Sequence, residues 1–599
     1  MAEYEQHDYD VIVIGAGGAG LRAAVEASAT GARVALICKS LLGKAHTVMA
    51  EGGIAAAMGN VYPEDNWQVH FRDTMRGGKM LNNWRMAQLH AQEAPDRVHE
   101  LEQWGALFDR TSDGRILQRD FGGHRYARLA HVGDRTGLEM IRTLQQHAVH
   151  KGIDVYMECA IQRLLKDGDR IAGAVGYWRQ SGDLVLFRAP AVVLATGGVG
   201  KAFKITSNSW EYTGDGHSLA YFAGADLIDM ECVQFHPTGM VWPPSVRGIL
   251  VTEGVRGDGG TLKNSNDEQF MFNYITPYFA AETADTIDEA ERWYDDKRNN
   301  RRTPNLLPRD EVARAINSEV KAGRGSPHGG VFLDIASRRS PEYIRRRLPS
   351  MYHQFKQLAD IDITAVPMEV GPTMHYIMGG IRVEADTAAS TVPGLFAAGE
   401  CAGGMHGANR LGGNSLSDLL VFGRRAGMSA AEYALGIGTK PRADIADADA
   451  CTAEMLGHFG REGGENPYTI QKDLQDSMHN LVGIIRTKTE LDEARTHVAN
   501  YVERSKHTRV EGSRQYNPGW HLAMDLKSML TVSEAIARAA ENRKESRGGH
   551  TREDFPDPDP EWAKVNVVVR QGAGGEMQVV TEPLPVMPAE LQELFEEAH

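Results

Sequence analysis

Cysteine and long apolar runs are both scarce in this sequence. Its 599 residues include five cysteines, and no two of them have a C-x-x-C spacing. This distribution excludes a disulfide framework, a structural zinc site and an iron–sulfur cluster held by the chain itself, so we predict no metal site. No apolar run approaches the roughly 18 residues that a membrane-spanning helix requires.

Net positive charge is also absent. The formal charge is -15 at pH 7. Since binding to a phosphate backbone requires a broad cationic surface, this charge excludes a nucleic-acid-binding protein, and an anionic substrate would need a local pocket of Arg and His. The acidic opening MAEYEQHDYD is not typical of a signal peptide. We therefore expect a cytoplasmic protein that contacts a membrane only through a partner.

The glycine-rich stretch near the N-terminus predicts a dinucleotide site. The residues YDVIVIGAGGAGLRAAVEASATGARVALICKS are typical of a strand, a tight turn, a helix and a second strand, with G-x-G-x-x-G formed by Gly15, Gly17 and Gly20. These glycines permit the turn, the approach of a pyrophosphate and close helix packing. Lys39 and Ser40 stand where an acid usually binds the ribose.

Two later segments favour FAD as the dinucleotide. AVVLATGG is a second buried strand ending in glycine, followed by Asp215, and TVPGLFAAGE is a third, ending in Glu400. Carboxylates at these positions can accept hydrogen bonds from a ribityl chain, although capping of a turn or helix is the commoner role of a single acid. A helix expected to begin near Ser415 could stabilise negative charge on a reduced flavin.

Several longer motifs make a resemblance specific. They run in order from residue 15 to about 556, and they include GAGGAGLRAA, HTVMAEGGI, DRTG, QFHPTG, TEGVRGDGG, PRDEVARAI, HYIMGGI, HGANRLGGNSL and RKESRGGHTREDFP. The chain strongly resembles the flavoprotein subunit of succinate dehydrogenase and fumarate reductase. The resemblance implies an α/β fold: a Rossmann-like FAD-binding domain interrupted by an α+β capping domain, then a helical domain and a small C-terminal domain.

The expected domain boundaries follow from this architecture. They are 1–245 and 358–436 for the FAD-binding domain, 246–357 for the capping domain, 437–545 for the helical domain and 546–599 for the C-terminal domain. Apolar residues from Leu474 to Ile485 recur at helical spacing and predict a core-facing helix.

The resemblance implies that FAD is joined covalently, through its 8α carbon, to His46. Taken alone, a loop histidine is more often a core or capping residue. Ala45 precedes it where the family commonly has Ser. The other cofactor-binding positions that the resemblance implies are Gly15, Gly17, Gly18, Gly20, Lys39, Ser40, Thr47, Gly52, Gly53, Asp215, Glu400, Arg410, Ser415 and Leu416.

Four residues match the family's substrate ligands: His236, Thr252, His375 and Arg410. Arg410 can bind a carboxylate through two N–H groups, which a lysine could not do as well. Each also has a structural alternative, which is a salt bridge for the arginine, a core role for the histidines and a cap for the threonine.

Proton transfer in the family is assigned to an arginine of the capping domain, which corresponds to Arg309, with Glu253 as the next member of a relay. A guanidinium is essentially never neutral in proteins, so this role requires a desolvated pocket in which the proton is lost only transiently. The structural alternative is an arginine at a helix N-terminus that pairs with Asp310 or Glu311.

Besides Ala45, two positions and one segment depart from the family pattern. Glu51 stands where succinate dehydrogenases usually carry Gln and fumarate reductases often carry Glu, and an added negative charge there would favour fumarate reduction. Val255 replaces a cysteine of many relatives, which predicts weaker inactivation by thiol reagents. The segment FGGHRYARLAHVGDRTG departs in its middle portion, and its first residue, Phe121, is expected to form a wall of the active site.

The sequence as a whole predicts the flavoprotein subunit of a succinate:quinone oxidoreductase that passes electrons to an iron–sulfur subunit. The resemblance also implies a membrane anchor, a quinone and a location at the cytoplasmic face of the inner membrane. The alternatives are the same complex working as a fumarate reductase, the related L-aspartate oxidase, whose family lacks the covalent histidine, and an inactive scaffold paralogue.

Overall fold

The computed structural model describes residues 2–596. The strands of the first 240 residues are β1 Glu5–Asp8, β2 Val11–Ile14, β3 Val34–Cys38, β4 Ile54–Ala55, β5 Gln118–Arg119, β6 Leu129–Ala130, β7 Asp154–Met157, β8 Cys159–Asp167, β9 Arg170–Trp178, β10 Leu184–Arg188, β11 Ala191–Leu194, β12 Leu227–Ile228 and β13 Val233–Met240. The helices are α1 Gly18–Ala29, α2 Trp67–Gly77, α3 Trp84–Gln103, α4 Thr136–His150 and α5 Asp215–Ala223.

The middle of the chain contains α6 Gly254–Gly257, β14 Thr261–Lys263, α7 Ile287–Asp295, α8 Arg309–Lys321, β15 Val331–Asp334, α9 Pro341–Arg347, α10 Pro349–Ala359, β16 Met368–Ile377, β17 Gly380–Ile381, β18 Leu395–Ala397 and α11 Asn414–Gly436. The last part contains α12 Ile445–Leu456, α13 Pro467–Leu481, α14 Lys488–Ser505, α15 Pro518–Asn542, β19 Val565–Gln571, β20 Met577–Pro583 and α16 Ala589–Glu596.

A parallel five-stranded sheet carries the dinucleotide motif. Its strand order is β18-β11-β2-β3-β7, and Val13 of β2 pairs with Val193 on one side and Leu36 on the other. The inner strands VIVI, VALIC and AVVL are apolar and fully buried. Helices α1 and α11 pack on these strands, which also contact β8 and β9 of the sheet β1-β10-β9-β8, so both faces are covered, as parallel sheets require. Helices α1 and α11 pack closely together on one face. The predicted α/β fold is confirmed.

A second hydrophobic core lies between residues 240 and 370. It is built on an antiparallel sheet of order β13-β16-β15-β14, and its fully buried members include Val255, Leu262, Ile316 and Leu333. Helix α8 belongs to this core through Val312 and packs against β13. This region therefore holds the N-terminus of α8 over the sheet that contains the QFHPTG motif.

Helices α13, α14 and α15 pack together as a helical layer, with Leu474, Met478 and Leu491 fully buried. The predicted helical stripe ran on to Ile485, which is wrong, because α13 ends at Leu481. Gly483 follows two residues later, and glycine is a poor residue for continuing a helix.

The C-terminal hairpin β19-β20 joins a sheet of order β17-β12-β19-β20, in which Leu227 pairs with Val569. Strand β19 lies more than 300 residues after β12, the strand with which it pairs. Leu591 of α16 packs in one cluster with Phe71 of α2. Across residues 2–596, none of the helices combines the length and the apolar character needed to span a membrane.

Candidate active site

The turn between β2 and α1 leaves no room for side chains at two of its glycines. Gly15 has a φ of +110°, and an added Cβ would lie 2.1 Å from the carbonyl oxygen of Ala195. A Cβ on Gly20 would lie 1.8 Å from the carbonyl oxygen of Gly15. At Gly17 the nearest atom would be Oγ1 of Thr47 at 3.4 Å. The backbone at Gly17 is therefore open to an approaching pyrophosphate.

A large cavity begins at this turn and follows the C-terminal ends of the parallel strands. Of the positions predicted for the cofactor, those that line it are Gly15, Gly17, Gly18, Lys39, Ser40, His46, Thr47, Gly52, Gly53, Asp215, Glu400, Arg410, Ser415 and Leu416. Gly20 packs beneath the turn. The predicted substrate and proton-transfer residues that line the same cavity are His236, Thr252, Glu253, Arg309, His375 and Arg410.

Lys39 is the centre of an ion-pair cluster at one end of the cavity. Its Nζ lies 2.9 Å from Oδ2 of Asp215 and 2.6 Å from Oδ1 of Asp525, and it donates to Oγ1 of Thr213 at 2.9 Å. Burial raises the pKa of Asp525 to about 6, although Lys39 opposes this shift. Sequence reasoning missed Asp525, because it lies on α15, far along the chain from the dinucleotide motif.

Glu400 follows β18 and is buried beside the cavity. Its Oε1 accepts the backbone N–H of Ile377 at 3.1 Å, and a Cβ on Gly198 would lie 2.1 Å from the same oxygen. Burial raises the pKa of Glu400 to about 8. A carboxyl group that is protonated at neutral pH can both donate to and accept from a sugar-like hydroxyl.

His46 begins a 3₁₀ turn, His46–Met49, and its ring meets that of Tyr212 edge to face with centroids 4.8 Å apart. Burial, together with the ammonium group of Lys201, lowers the pKa of His46 to about 4. Nδ1 has no hydrogen-bond partner among the described residues, and Nε2 makes only a long contact of 3.4 Å to Nδ2 of Asn208. The imidazole is therefore neutral and available as a nucleophile.

Glu51 follows this turn and is buried against the cavity. Burial and the nearby Asp134 raise the pKa of Glu51 well above its usual range, while Arg119 opposes the shift. Oε2 of Glu51 has no hydrogen-bond partner in residues 2–596. The structure favours a neutral carboxyl, so the negative charge that the sequence argument assigned to this position is not supported.

The donor set of the cavity fits an FAD molecule. The N-terminus of α1 and the open backbone at Gly17 suit a pyrophosphate. Glu400 suits the hydroxyls of a ribityl chain, and the N-terminal turn of α11, which borders the cavity at Ser415, suits negative charge. Nδ1 of His46 and Oε2 of Glu51 are buried here without partners in the described chain, as expected of a wall that contacts a polar group.

Arg410 is fixed at the opposite end of the cavity. Its Nη1 donates to Oγ of Ser415 at 2.9 Å and its Nη2 to Oε1 of Gln234 at 3.2 Å. The guanidinium also stacks over the ring of Tyr376, 4.3 Å from the ring centre. Burial and the neighbouring Arg309 lower the pKa of Arg410 to about 10, so it stays charged at neutral pH. A charge held in this way can bind a carboxylate through two N–H groups.

His236 and His375 lie beside this arginine with ring centroids 5.1 Å apart. Nδ1 of His375 lies 2.7 Å from Oγ of Ser207, and Nδ1 of His236 lies 3.0 Å from the carbonyl oxygen of Thr238. Burial, reinforced by neighbouring positive groups, lowers the pKa of both histidines well below its usual range. Both rings are therefore neutral hydrogen-bonding groups, and the positive charge of the pocket comes from its arginines.

Thr252 and Phe121 complete the walls of the pocket. Oγ1 of Thr252 accepts the backbone N–H of Gly254 at 3.3 Å, which leaves its own O–H free to donate. An added Cβ would lie 2.6 Å from the Phe121 ring at Gly52 and 2.5 Å from it at Gly412. The ring is 2% exposed and packs directly on these backbones, which helps to exclude water.

Arg309 begins α8 and points into the pocket. Its Nε donates to Oε2 of Glu253 at 3.0 Å, and its Nη1 donates to Oε1 of Gln234 at 3.3 Å. Oε1 of Glu253 also accepts the backbone N–H of Gly122 at 2.5 Å. Oε2 of Glu253 lies 3.9 Å from Nη2 of Arg256. Burial alone would raise the pKa of Glu253, but Arg309 and Arg256 outweigh burial and lower it. The result is a buried Arg–Glu–Arg row.

The structural alternative for Arg309 is not observed. Asp310 and Glu311 instead lie within ion-pair distance of Lys79 and Arg314. Arg309 therefore pairs with Glu253 and faces the pocket.

Sequence reasoning missed Gln234 and Arg256. Gln234 accepts from both pocket arginines, and it precedes His236 by two residues on β13, so the alternation of side chains along a strand was a usable signal. Arg256 follows Glu253 by three residues in TEGVRG, a spacing that places two side chains on one face of a helical turn.

Known protein families match the chain over most of its length. A family model described as FAD binding domain matches residues 10–416, and one described as Fumarate reductase flavoprotein C-term matches residues 471–594. A solved structure of Mycobacterium smegmatis Sdh1 in complex with UQ1 is 59% identical, with a TM-score of 0.86 over 99% of this chain and 97% of that chain.

Two curated relatives are similar over almost their whole length. A fumarate reductase (CoM/CoB) subunit of Methanothermobacter marburgensis is 42% identical over 94% of this chain and 97% of the relative. The succinate dehydrogenase flavoprotein subunit of Coxiella burnetii is 37% identical over 96% of each chain.

Proposed function

Because this chain belongs to the family of succinate dehydrogenase and fumarate reductase flavoprotein subunits, we propose that it oxidises succinate to fumarate within a succinate:quinone oxidoreductase. The observation that carries this proposal is the convergence of Arg410 with the Arg309–Glu253 pair in one buried pocket. Removing hydrogen from adjacent carbons of a dicarboxylate requires a fixed cation and a proton acceptor close together.

The pocket side chains bind and orient the substrate. Arg410 holds one carboxylate through two N–H groups, while Thr252 and the neutral ring of His375 donate hydrogen bonds to the carboxylate oxygens. His236 lines the same wall, and its Nδ1 lies beside the carbonyl oxygen of Thr238. Phe121 and the capping region exclude water. Bound FAD supplies the hydride acceptor.

Arg309 is the proposed proton acceptor. Since its guanidinium is charged in water, it accepts the proton of the substrate carbon only as it releases one of its own to Glu253, 3.0 Å away. Arg256 lies next in the row, and its Nε and Nη2 are buried without hydrogen-bond partners in the described chain. The row therefore provides a route by which the proton leaves the closed pocket.

We also propose that FAD is linked through its 8α carbon to His46, as the resemblance implies. The neutral imidazole and its weak hydrogen bonding support this assignment. Mass mapping of the tryptic peptide 45–72 should find the flavin on this residue, and a His46→Ser variant should release its flavin in acid. An unmodified His46 in fully active complex would contradict the linkage.

An iron–sulfur subunit is the proposed electron acceptor, with a membrane anchor and a quinone completing a complex at the cytoplasmic face of the inner membrane. The solved Sdh1 structure, which is 59% identical to this chain, is described as a complex with UQ1, and this description supports the proposed quinone. Purification of the native chain from membranes should bring with it a subunit that shows iron–sulfur signals in electron paramagnetic resonance. Recovery of the chain without such a subunit would contradict the proposed partner.

Fumarate reduction by the same site is the second candidate. A relative 42% identical carries the name fumarate reductase, and Glu51 occupies the position where fumarate reductases often carry Glu. L-aspartate oxidase is less favoured, and retention of yellow flavin by acid-precipitated protein would exclude it.

The direction can be tested by assaying the purified native complex with succinate and a high-potential quinone and with fumarate and a low-potential quinol. We expect the first reaction to be faster. A faster second reaction would assign the complex as a fumarate reductase, and the absence of both would refute a dicarboxylate substrate.

A further inference from the structure

A second cavity, of about 260 Å³, lies between the FAD-binding region and the capping region. None of the residues assigned above to the cofactor, the substrate or the proton row lines it. Its charged and titratable lining residues are Tyr62, Arg119, Asp120, His131, Asp258, Lys297 and Arg347. They come from separate segments of the two regions, so the cavity exists only when the capping region is in place.

Arg119 forms the partition between the two cavities. Its Nε donates to the carbonyl oxygen of Gly52 and its Nη2 to that of Glu51, each at 2.6 Å, and both of these residues line the first cavity. Burial lowers the pKa of Arg119 to about 10, so it is charged at neutral pH. No carboxylate of residues 2–596 lies within ion-pair distance of its guanidinium, and Asp258, Asp134 and Asp109 compensate its charge only from farther away.

The other charges of the cavity cancel in pairs. Lys297 pairs with Asp120, and Nη2 of Arg347 lies 3.2 Å from Oδ1 of Asp258. His131 is 1% exposed and lines the cavity, and burial lowers its pKa well below its usual range, so it is a neutral hydrogen-bonding group. The cavity therefore carries one net positive charge, from Arg119, surrounded by further N–H donors.

Further charges of both signs surround the cavity, with Asp109 and Asp134 near Arg119 and two arginines on the capping side. Arg302 approaches Asp120 at 4.0 Å, and the guanidinium of Arg298 lies over the ring of Tyr62, 5.8 Å from its centre. Both arginines lie in the segment DDKRNNRR of the capping region. Cations around a cleft with low-dielectric walls attract small anions.

We propose that this second cavity binds a small carboxylate or phosphate anion, held by Arg119 with Lys297 and Arg347. The anion would complete the charge balance of Arg119, much as a substrate carboxylate completes that of Arg410 in the first cavity. Since Arg119 also holds the carbonyl groups of Glu51 and Gly52, the bound anion would shield a positive charge that borders the flavin site. The inference goes beyond the proposed function, because the dicarboxylate is held by other residues.

The Lys297–Asp120 pair allows a test by charge. Lys297→Gln and Asp120→Asn break the same ion pair but change the net charge of the cavity in opposite directions. We expect about tenfold weaker anion binding in Lys297→Gln and tighter binding in Asp120→Asn. Lys297→Arg keeps the charge and should bind like the wild type. Neither residue lines the first cavity.

Binding is measured by isothermal titration calorimetry on the native, flavin-loaded complex. Each titration is repeated on an Arg410→Met variant, in which the first cavity has lost the guanidinium proposed to bind carboxylates while Arg119, Lys297 and Arg347 are kept. Acetate and inorganic phosphate are the two probes, and the tighter one identifies the headgroup that the cavity prefers. A small change in the visible flavin spectrum on saturation is expected, and it should be lost in Lys297→Gln.

Three results would overturn the proposal. The first is no saturable heat with either probe, and the second is loss of binding in Arg410→Met, which would place the anion in the first cavity. The third is a shift of affinity in the same direction in Lys297→Gln and Asp120→Asn, which would assign the effect to the broken ion pair rather than to charge. Thermal unfolding of each variant checks that the fold is retained.

Discussion

Replacing Glu253 with Gln removes the carboxylate between Arg309 and Arg256 while keeping the size of the side chain. The wild-type carboxylate is ionised, since the two arginines and the N–H of Gly122 lower its pKa despite burial. In the variant, the amide cannot accept a proton from Arg309. The substrate-binding groups Arg410 and His375 are left unchanged.

The expected effect is on kcat rather than on KM. A positioned proton-transfer group contributes about 10²–10⁴-fold to a rate, so kcat should fall by a factor in this range. KM should change by less than about threefold, because the lost interaction belongs to the transition state. Part of the capping region will also be less stable, since removing one partner of a buried ion pair costs about 3–5 kcal/mol.

The assay is succinate-dependent dye reduction by the native complex, normalised to flavin content, with single-turnover bleaching of the flavin as a second readout. Glu319→Gln is the matched control. Glu319 is a buried carboxylate of the same region that pairs with Arg324 at 2.7 Å and accepts from Tyr274 at 2.6 Å, and it does not line the first cavity. The control should lose stability and keep its kcat.

Two outcomes would refute the reasoning. A Glu253→Gln variant that keeps more than about a tenth of the wild-type kcat would show that the carboxylate is not part of the proton route. A variant with raised KM and normal kcat would place Glu253 among the groups that bind the substrate.

Three further predictions concern the cofactor site and the cysteines. Lys39→Met leaves Asp215 and Asp525 without their shared cation, so it should weaken flavin retention and lower the free energy of unfolding, measured in urea, by up to about 3 kcal/mol. Unchanged values of both quantities would contradict the ion-pair cluster. N-ethylmaleimide should inactivate the complex slowly, because all five cysteines are buried and burial raises the pKa of the Cys401 thiol to about 12. Rapid loss of activity that substrate prevents would contradict the prediction of unreactive thiols. Flavin attachment to purified apoprotein should have the same rate from about pH 6 to about pH 8, because the pKa of His46 is lowered to about 4 and the ring is neutral throughout this range. A rate that rises with pH around a midpoint near pH 6.5 would instead show an unperturbed histidine.

Local patterns were enough to predict the framework of the site. The apolar strand from Val11 to Ile14 and the glycine turn after it form as expected, and the helix expected near Ser415 begins at Asn414. These features depend on residues close in sequence, where strand burial, turn sterics and helix starts decide the structure.

Contacts between distant segments were not predictable. Asp525 meets Lys39 only because the helical layer packs on the dinucleotide end, and β19 pairs with β12 across more than 300 residues. Charge states were equally hidden, since burial makes Glu51 and the two pocket histidines neutral although their residue types suggest charge. Tertiary burial, which no local pattern encodes, sets each of these properties.

The central claim is that this chain holds FAD beside a pocket that dehydrogenates a four-carbon dicarboxylate. Its most direct test is anaerobic addition of succinate to the purified native complex while the visible absorbance of the flavin is recorded. The account predicts that succinate bleaches the flavin and that excess fumarate restores its colour. A flavin that is present, is reduced by dithionite and stays unbleached in excess succinate would contradict it.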